Sequence, residues 1–238
     1  FAGRLYAGDD SGRVWAYETA LDRWYVAFQS PSATIQSMGV YDGRLFVGAN
    51  PNIYVFNGTA WDISNVVGAD INSLVAYDNK LFGATNNNGF VYQFDGASWT
   101  TSLDATEDEV ISLAPHAGRL YAGAGGPGNG RLYTYDGRGW SLIRTLPNAA
   151  DRFPALAAFG GRLYEGLLLA GGDAAVDVST PLAIALTGSE GSVTPQTISV
   201  TDLNLTQSLV GSTCNQLITC AATNQVRFTY SDRAGRIG

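Results

Sequence analysis

Apolar residues fall at every second position in short runs along most of the chain. IQSMGVY (35–41), RLFVG (44–48), NIYVF (52–56) and AWDISNVV (60–67) are examples, and a period of two is that of a half-buried strand. Turn residues separate the runs: Asp42-Gly43 and Asp78-Asn79 at one kind of joint, and Asn57-Gly58, Asp95-Gly96 and Asp136-Gly137 at another. Such pairs tolerate the positive φ of two-residue hairpins, so each group of runs reads as four antiparallel strands, A to D.

The pattern repeats. FAGRLYAG (1–8) returns as YDGRLFVG (41–48), YDNKLFGA (77–84), HAGRLYAG (116–123) and FGGRLYEG (159–166). Its leucines, Leu5, Leu45, Leu81, Leu120 and Leu163, lie 40, 36, 39 and 43 residues apart. RVWAY (13–17), NIYVF (52–56), FVYQF (90–94) and RLYTY (131–135) run in phase with it, followed by Trp24, Trp61, Trp99 and Trp140 at spacings of 37, 38 and 41. Four antiparallel strands in a recurring unit of this size predict an all-β fold, a β-propeller whose blades cover each other's faces. FAGRLYAG is then the end of strand A, a hairpin and strand B of a first blade. Its strand A is expected from preceding N-terminal sequence or from elsewhere in an assembly, unless FPALAAF (153–159) closes the ring.

The unit G-[RK]-L-[YF]-x-G followed by x-[VIL]-[YW]-x-[YF]-[DN]-G-x-x-W resembles the kelch-like propeller repeats of bacterial extracellular proteins over residues 1–166. It lacks the GH…WD dipeptides of WD40 repeats and the double-Gly strand of typical kelch. The resemblance implies a fold that hosts lectins, hydrolases and plain scaffolds alike. After FGGRLYEG the period stops, so 167–180 reads as a linker or transition and 181–238 as a second, smaller β module. Its strand-like runs are PLAIALT (181–187), QTISVTDLNL (196–205) and QVRFTYSD (225–232). Its closing VRFTYSDRAGRIG is similar to the Y-x-x-x-D-x-A-G-N segment of bacterial immunoglobulin-like domains, which implies a β-sandwich ending before its last strand. An open strand edge of that kind would offer a route to homo-oligomers.

Composition sharpens the class. Of 238 residues 15% are charged and 11% aromatic, and the net charge of −7 argues against nucleic acid, whose phosphates need a basic surface. No apolar run approaches the length of a membrane-spanning helix. Lys80 is the sole lysine, and Cys214 and Cys220 in STCNQLITC suit a small disulfide loop or two free thiols, a profile compatible with secretion. Two cysteines do not make a zinc site, and no HExxH, P-loop or GxSxG motif is present, so neither metal nor cofactor is expected.

Candidate chemistry is concentrated in acidic loops. Asp42, Asp78, Asp95 and Asp136 recur with the repeat and serve turns. Asp9, Asp10, Asp70, Asp104, Glu107, Asp108, Glu109 and Asp151 do not recur, and all lie in B–C or D–A connections, which a four-stranded blade places on one face of the disc. Arg13, Arg131, Arg144 and Arg152 offset part of that charge. That face is expected to take a protein, a glycan or another polar ligand, and the opposing expectation is a merely solvated loop face. His116, the only histidine, occupies the strand A aromatic position and reads as packing; the repeat-locked tryptophans read as wedges between blades. Glu165 stands where other units carry Ala7, Val47, Gly83 and Ala122, and either lines a funnel or marks the end of the blade. Together these features predict a non-enzymatic extracellular or cell-surface protein, adhesive or a subunit of a surface filament or layer. A lectin-type propeller is the first alternative, and a glycoside hydrolase, which needs converging carboxylates, the second.

Overall fold

The computed structural model describes residues 1–31, 34–126, 128–179, 182–185 and 197–200. The chain divides into two compact units, Phe1–Ser179 and Thr180–Gly238. Among the described residues of the first, eighteen strands form five antiparallel sheets and no helix occurs. Blade 1 holds β1 (Tyr6–Gly8), β2 (Arg13–Glu18) and β3 (Arg23–Gln29). Blade 2 holds β4 (Ser37–Tyr41), β5 (Arg44–Ala49), β6 (Asn52–Phe56) and β7 (Trp61–Val66). Blade 3 holds β8 (Ile71–Tyr77), β9 (Lys80–Thr85), β10 (Phe90–Phe94) and β11 (Trp99–Asp104). Blade 4 holds β12 (Glu109–His116), β13 (Arg119–Gly125), β14 (Asn129–Tyr135) and β15 (Trp140–Ala149). Blade 5 holds β16 (Arg152–Phe159), β17 (Arg162–Leu168) and β18 (Ala174–Ser179). Each strand pairs with its neighbour in sequence, as the repeat predicts.

Blade 5 corrects one expectation. The stretch read as a linker contains the end of β17 and all of β18, paired in register from Leu163↔Ser179 to Leu168↔Ala174. The sequence signal was missing because AAVDVS replaces the aromatic V-Y-x-Y of the other C strands, while the backbone ladder needs no aromatic. FPALAAF pairs with β17 as strand A of this blade. In the second unit, β19 (Leu182–Ala185) pairs with β20 (Thr197–Val200). The remaining strand expectations there, the immunoglobulin-like reading and the pair Cys214 and Cys220 lie outside the described residues.

The A–B joints are two-residue turns with positive φ at both positions: Asp42 and Gly43 at 47° and 63°, Asp78 and Asn79 at 47° and 55°, Ala117 and Gly118 at 47° and 73°, the geometry of a type I′ hairpin. Ala2 and Gly3 repeat it at 47° and 73°, with Arg4 N donating to the Phe1 carbonyl at 3.0 Å. The C–D joints differ from the expected two-residue turns. Phe56 pairs with Trp61, Phe94 with Trp99 and Tyr135 with Trp140, leaving four residues between them. The first side chain of each loop folds back as an acceptor: Asn57 Oδ1 takes the N–H groups of Thr59 and Ala60, Asp95 Oδ1 those of Ala97 and Ser98, and Asp136 Oδ1 those of Arg138 and Gly139. An Asx turn and a type I′ hairpin both favour Asp-Gly, so the dipeptide alone does not distinguish them.

Alternate side chains of each B strand face opposite blades. Leu45 and Val47 pack toward blade 1 with Val14 and Ile35, whereas Phe46 packs toward blade 3 with Ile71, Leu74 and Leu81. The same division gives one apolar cluster for blades 3 and 4 around Phe82, Leu113 and Leu120, and one for blades 4 and 5 around Tyr121, Phe153 and Leu163. Close approach is made possible by glycine. A Cβ on Gly48 would sit 2.5 Å from Ile71 Cβ, and one on Gly123 would sit 2.7 Å from Phe153 Cβ. Hydroxyls stitch the same seams: Ser37 Oγ donates to the Ile71 carbonyl at 2.6 Å, Ser112 Oγ to that of Phe153 at 3.1 Å, and the Tyr41 and Tyr77 hydroxyls reach the next A–B turn at Asn79 O (2.8 Å) and Gly118 O (2.6 Å).

Candidate functional site

Asp104 and Glu109 lie at the end of β11 and the start of β12 rather than in the connection between them, and the acidic residues divide sharply by what they touch. Asp9 lies in the B–C connection of blade 1 and accepts from Ser11 N (3.0 Å), Arg13 N (2.9 Å), Arg13 Nε (2.7 Å) and Trp15 Nε1 (2.9 Å). The Trp15 bond is the largest influence holding its pKa down at about 2, with the Arg13 and Ser11 bonds adding and desolvation opposing. Glu107, in the connection from blade 3 to blade 4, is 8% exposed and accepts from Arg131 Nη1 (2.6 Å), Thr106 Oγ1 (2.8 Å) and the Tyr133 hydroxyl (2.7 Å). Burial, then the bond to Glu107, pushes the Tyr133 phenol upward. Glu109 accepts from Arg152 Nη1 at 2.9 Å. Asp151 is fully buried and accepts from Asn148 N (3.1 Å), Asn148 Nδ2 (3.2 Å) and Ala170 N (2.6 Å), fastening the connection between β17 and β18.

The other four predicted residues stay near the surface. Asp10, Asp104 and Asp108 are exposed and Asp70 is half-buried. Asp10 accepts from Ser11 Oγ at 3.3 Å, whereas Asp70 and Asp108 use their backbone carbonyls, toward Asn86 N and Gly89 N, both at 2.9 Å. The run 104–109 therefore does not act as one cluster: the buried Glu107 and half-buried Glu109 turn to arginines, and Asp104 and Asp108 are exposed. Among the described residues no group of three His, Cys, Asp or Glu side chains is placed to hold a metal ion. His116 is half-buried with its ring 6.1 Å from that of Tyr121.

A motif overlooked in the sequence explains two of these placements. Arg13 and Trp15 occupy the same strand C positions as Arg131 and Tyr133, and each pair clamps one carboxylate between a guanidinium and an aromatic donor. The carboxylate comes from the blade's own B–C connection in blade 1 and from the preceding D–A connection in blade 4. Where blade 2 has Asn52 and Tyr54 instead, the two side chains bond to each other at 2.9 Å. The legible signal was Arg-x-aromatic at the start of strand C.

Glu165 belongs to an intact strand rather than to the end of a blade. It lies 5% exposed in β17, directly opposite Asp177 of β18, and Arg144 of β15 bridges both, at 2.5 Å and 2.9 Å. Burial raises its pKa foremost, Arg144 works against that rise and Asp177 adds to it. An ion triad thus replaces apolar packing at this position of the seam between blades 4 and 5.

Large apolar side chains are exposed on the first and last blades, as they also are on blades 2 and 4 at Val40, Ile63, Val66 and Leu142. Leu5 is 62% exposed, whereas its counterparts Leu45, Leu81, Leu120 and Leu163 are at most 3% exposed. Trp24 and Val26 share that end of the series, at 43% and 44%; at the other end Phe159 and Val176 are exposed to 78% and 71%.

No protein-family profile matches the sequence, and no curated protein matches it. Solved structures do. The extracellular domain of the hybrid two component system BT4673 from B. thetaiotaomicron is similar at 16% identity and a TM-score of 0.57, over 98% of this chain and 29% of that one. The Dos1 propeller is similar at 16% identity and 0.53, over 68% of this chain and 49% of its own. A chain of the mitotic checkpoint complex is similar at 13% identity and 0.59, over 73% and 58%. This chain spans less than two thirds of each of those structures. With the sheet topology, these likenesses define the fold as a β-propeller.

Proposed function

We propose that this propeller is a non-enzymatic interaction scaffold of the extracellular space or cell surface, working in adhesion or as a subunit of a surface filament or layer. The observation that carries the reading is apolar surface left exposed while several of the acidic side chains are bound within the chain. Glu107, Glu109, Asp151 and Glu165 are engaged by their own chain, while Leu5, Trp24, Phe159 and Val176 are exposed. Exposed apolar surface of this kind marks sites of association. The B. thetaiotaomicron neighbour is described as an extracellular domain and another neighbour belongs to a protein complex, both in keeping with this role. A hydrolase reading lacks support, because Glu165 and Asp177 share one arginine inside an inter-blade seam.

The test is electron microscopy and sedimentation over a range of protein concentrations, together with a glycan array and calcium calorimetry. Filaments, lattices or concentration-dependent assembly with no glycan bound are expected. A monodisperse monomer that binds a glycan would replace this reading with the lectin alternative.

A further inference from the structure

We propose that Asn57 is a self-modifying site: its carboxamide is converted to a carboxylate by the main-chain nitrogen of Gly58 and water, within a turn that assists the step. Asn-Gly is the dipeptide in which this attack meets least hindrance, because glycine has no Cβ to shield its nitrogen. The sequence holds three such pairs, Asn57-Gly58, Asn88-Gly89 and Asn129-Gly130, and the fold restrains two of them. Gly89 is buried and its N–H donates to the Asp108 carbonyl at 2.9 Å. Gly130 is buried within β14, where an added Cβ would sit 2.6 Å from the Asp151 carbonyl oxygen, and Asn129 Nδ2 is tied to the Leu146 carbonyl at 2.7 Å.

Asn57-Gly58 is placed differently. The whole C–D loop of blade 2, residues 57–60, is exposed, and a Cβ on Gly58 would meet nothing within 4 Å. Among the described residues neither the Gly58 N–H nor the Asn57 Nδ2 group has a hydrogen-bond partner. The attacking nitrogen is therefore free to approach, and the leaving group is free to depart. Asn57 Oδ1, by contrast, is held by three donors: Thr59 N (2.9 Å), Thr59 Oγ1 (2.7 Å) and Ala60 N (2.9 Å). Negative charge develops on that oxygen as Cγ becomes tetrahedral, and fixed donors aimed at it lower the barrier. The bonds that close the turn thus also polarise the reacting carbonyl.

In the first step the Gly58 nitrogen, its proton given up to hydroxide, forms a bond to Asn57 Cγ. The bond from Cγ to Nδ2 breaks, and ammonia leaves with a proton taken from water, which restores the hydroxide. Water then opens the cyclic imide. Cleavage at Cγ gives an aspartyl residue and cleavage at the main-chain carbonyl an isoaspartyl one; in both an amide has become an acid, and nothing is oxidised or reduced. The aspartyl product suits the fold, since Asp95 and Asp136 occupy the same position in blades 3 and 4 and accept the same pair of backbone N–H groups. The isoaspartyl product lengthens the main chain and displaces the acceptor from its turn, beside the Phe56 and Trp61 rings stacked at 4.8 Å. Either product adds a negative charge to an exposed loop, and the inference does not rest on the scaffold reading.

The test is peptide mapping by fragmentation mass spectrometry of the whole chain kept in mildly alkaline buffer, with and without urea. In the folded protein Asn57 is expected to convert about tenfold or more faster than Asn88 and Asn129, and in urea the three rates are expected to converge. Thr59→Val, which removes one donor from Oδ1, is expected to slow conversion at Asn57 about tenfold in the folded protein and to leave the rate in urea unchanged. Thr59→Ser is expected to restore the parent rate, with circular dichroism and urea midpoint close to the parent's in both variants. Asn57→Asp is expected to keep the parent's urea midpoint. Equal folded-state rates at the three sites, or no conversion at Asn57, would overturn the proposal, and an unchanged folded-state rate in Thr59→Val would overturn the assistance by the turn.

Discussion

Trp140 Nε1 donates to Ser102 Oγ at 2.9 Å across the seam between blades 4 and 3, and Ser102 is the extra residue of a β-bulge. The C–D register shifts at Val91/Tyr92, so that Leu103 and Thr101 face successive residues of β10 and Ser102 is left over. Trp99 Nε1 makes the same bond to Ser64, the leftover residue in blade 2. A bulge re-aims a side chain, and here it aims a hydroxyl at the next blade's indole. In blade 1 the leftover residue is Ala27, and Trp61 instead stacks on Phe28 with ring centroids 4.4 Å apart.

Ser102→Ala removes the acceptor and leaves a half-buried indole N–H unpaired. A loss of about 1 kcal/mol is expected, read as a lower urea midpoint with an unchanged slope. The complementary change Ala27→Ser is expected to be within about 0.5 kcal/mol of neutral, because Trp61 already has its stacking partner.

Gly48→Ala tests the seam between blades 2 and 3. The added methyl would lie 2.5 Å from Ile71 Cβ and 2.8 Å from Ser37 Oγ, both on elements that have little room to move. Overpacking of this kind costs about 1–3 kcal/mol. Combining it with Ile71→Gly, which removes the Cβ that the new methyl meets, is expected to cost less than the sum of the two single changes, so that they are measurably non-additive in urea unfolding.

Glu165→Ala leaves Arg144 facing Asp177 alone inside the seam and is expected to destabilise by about 1–3 kcal/mol, below the range for fully buried pairs because Arg144 is 35% exposed. Replacing the group as a whole, with Glu165→Val and Arg144→Leu, restores the apolar pattern of the other seams and is expected to recover most of the loss. Thermal melts of the single and double variants decide this.

The repeat was legible because its period is imposed by packing: leucine, aromatic and tryptophan landmarks recur wherever one blade must cover the next. The two-residue A–B turns were readable for the same reason, since positive φ at Asp42 and Gly43 selects residue type directly. What escaped was pairing that composition does not mark. β18 lacks the aromatics of its counterparts yet completes the same ladder beside β17. The acidic loop residues look alike in sequence, but Glu107 points inward to Arg131 and Asp108 is exposed. Nothing in a run of acids says which of them has an arginine within reach, because that arginine lies in another strand.

Acid titration separates two carboxylates with opposite signs. Asp9 has its folded pKa held at about 2, below the unfolded value of about 3.9. Its bonds therefore add stability that is fully present above the unfolded value and is lost as pH falls toward 2. Asp95 and Asp136, lowered first by the backbone N–H groups of Ser98 and Gly139, act in the same direction. Glu165 is raised by burial, so its contribution is greatest below its unfolded value and is lost as pH rises through its folded value. Urea unfolding of the parent and of Asp9→Asn is expected to show the two differing at neutral pH and converging as pH approaches 2. For Glu165→Gln, which keeps the shape and removes the charge, the difference from the parent is expected to change in the opposite sense, growing in the variant's favour as pH rises from the carboxyl's unfolded value through its raised folded value and levelling off above it. Parallel curves for Asp9→Asn across the whole range would show that the Asp9 clamp carries no proton linkage.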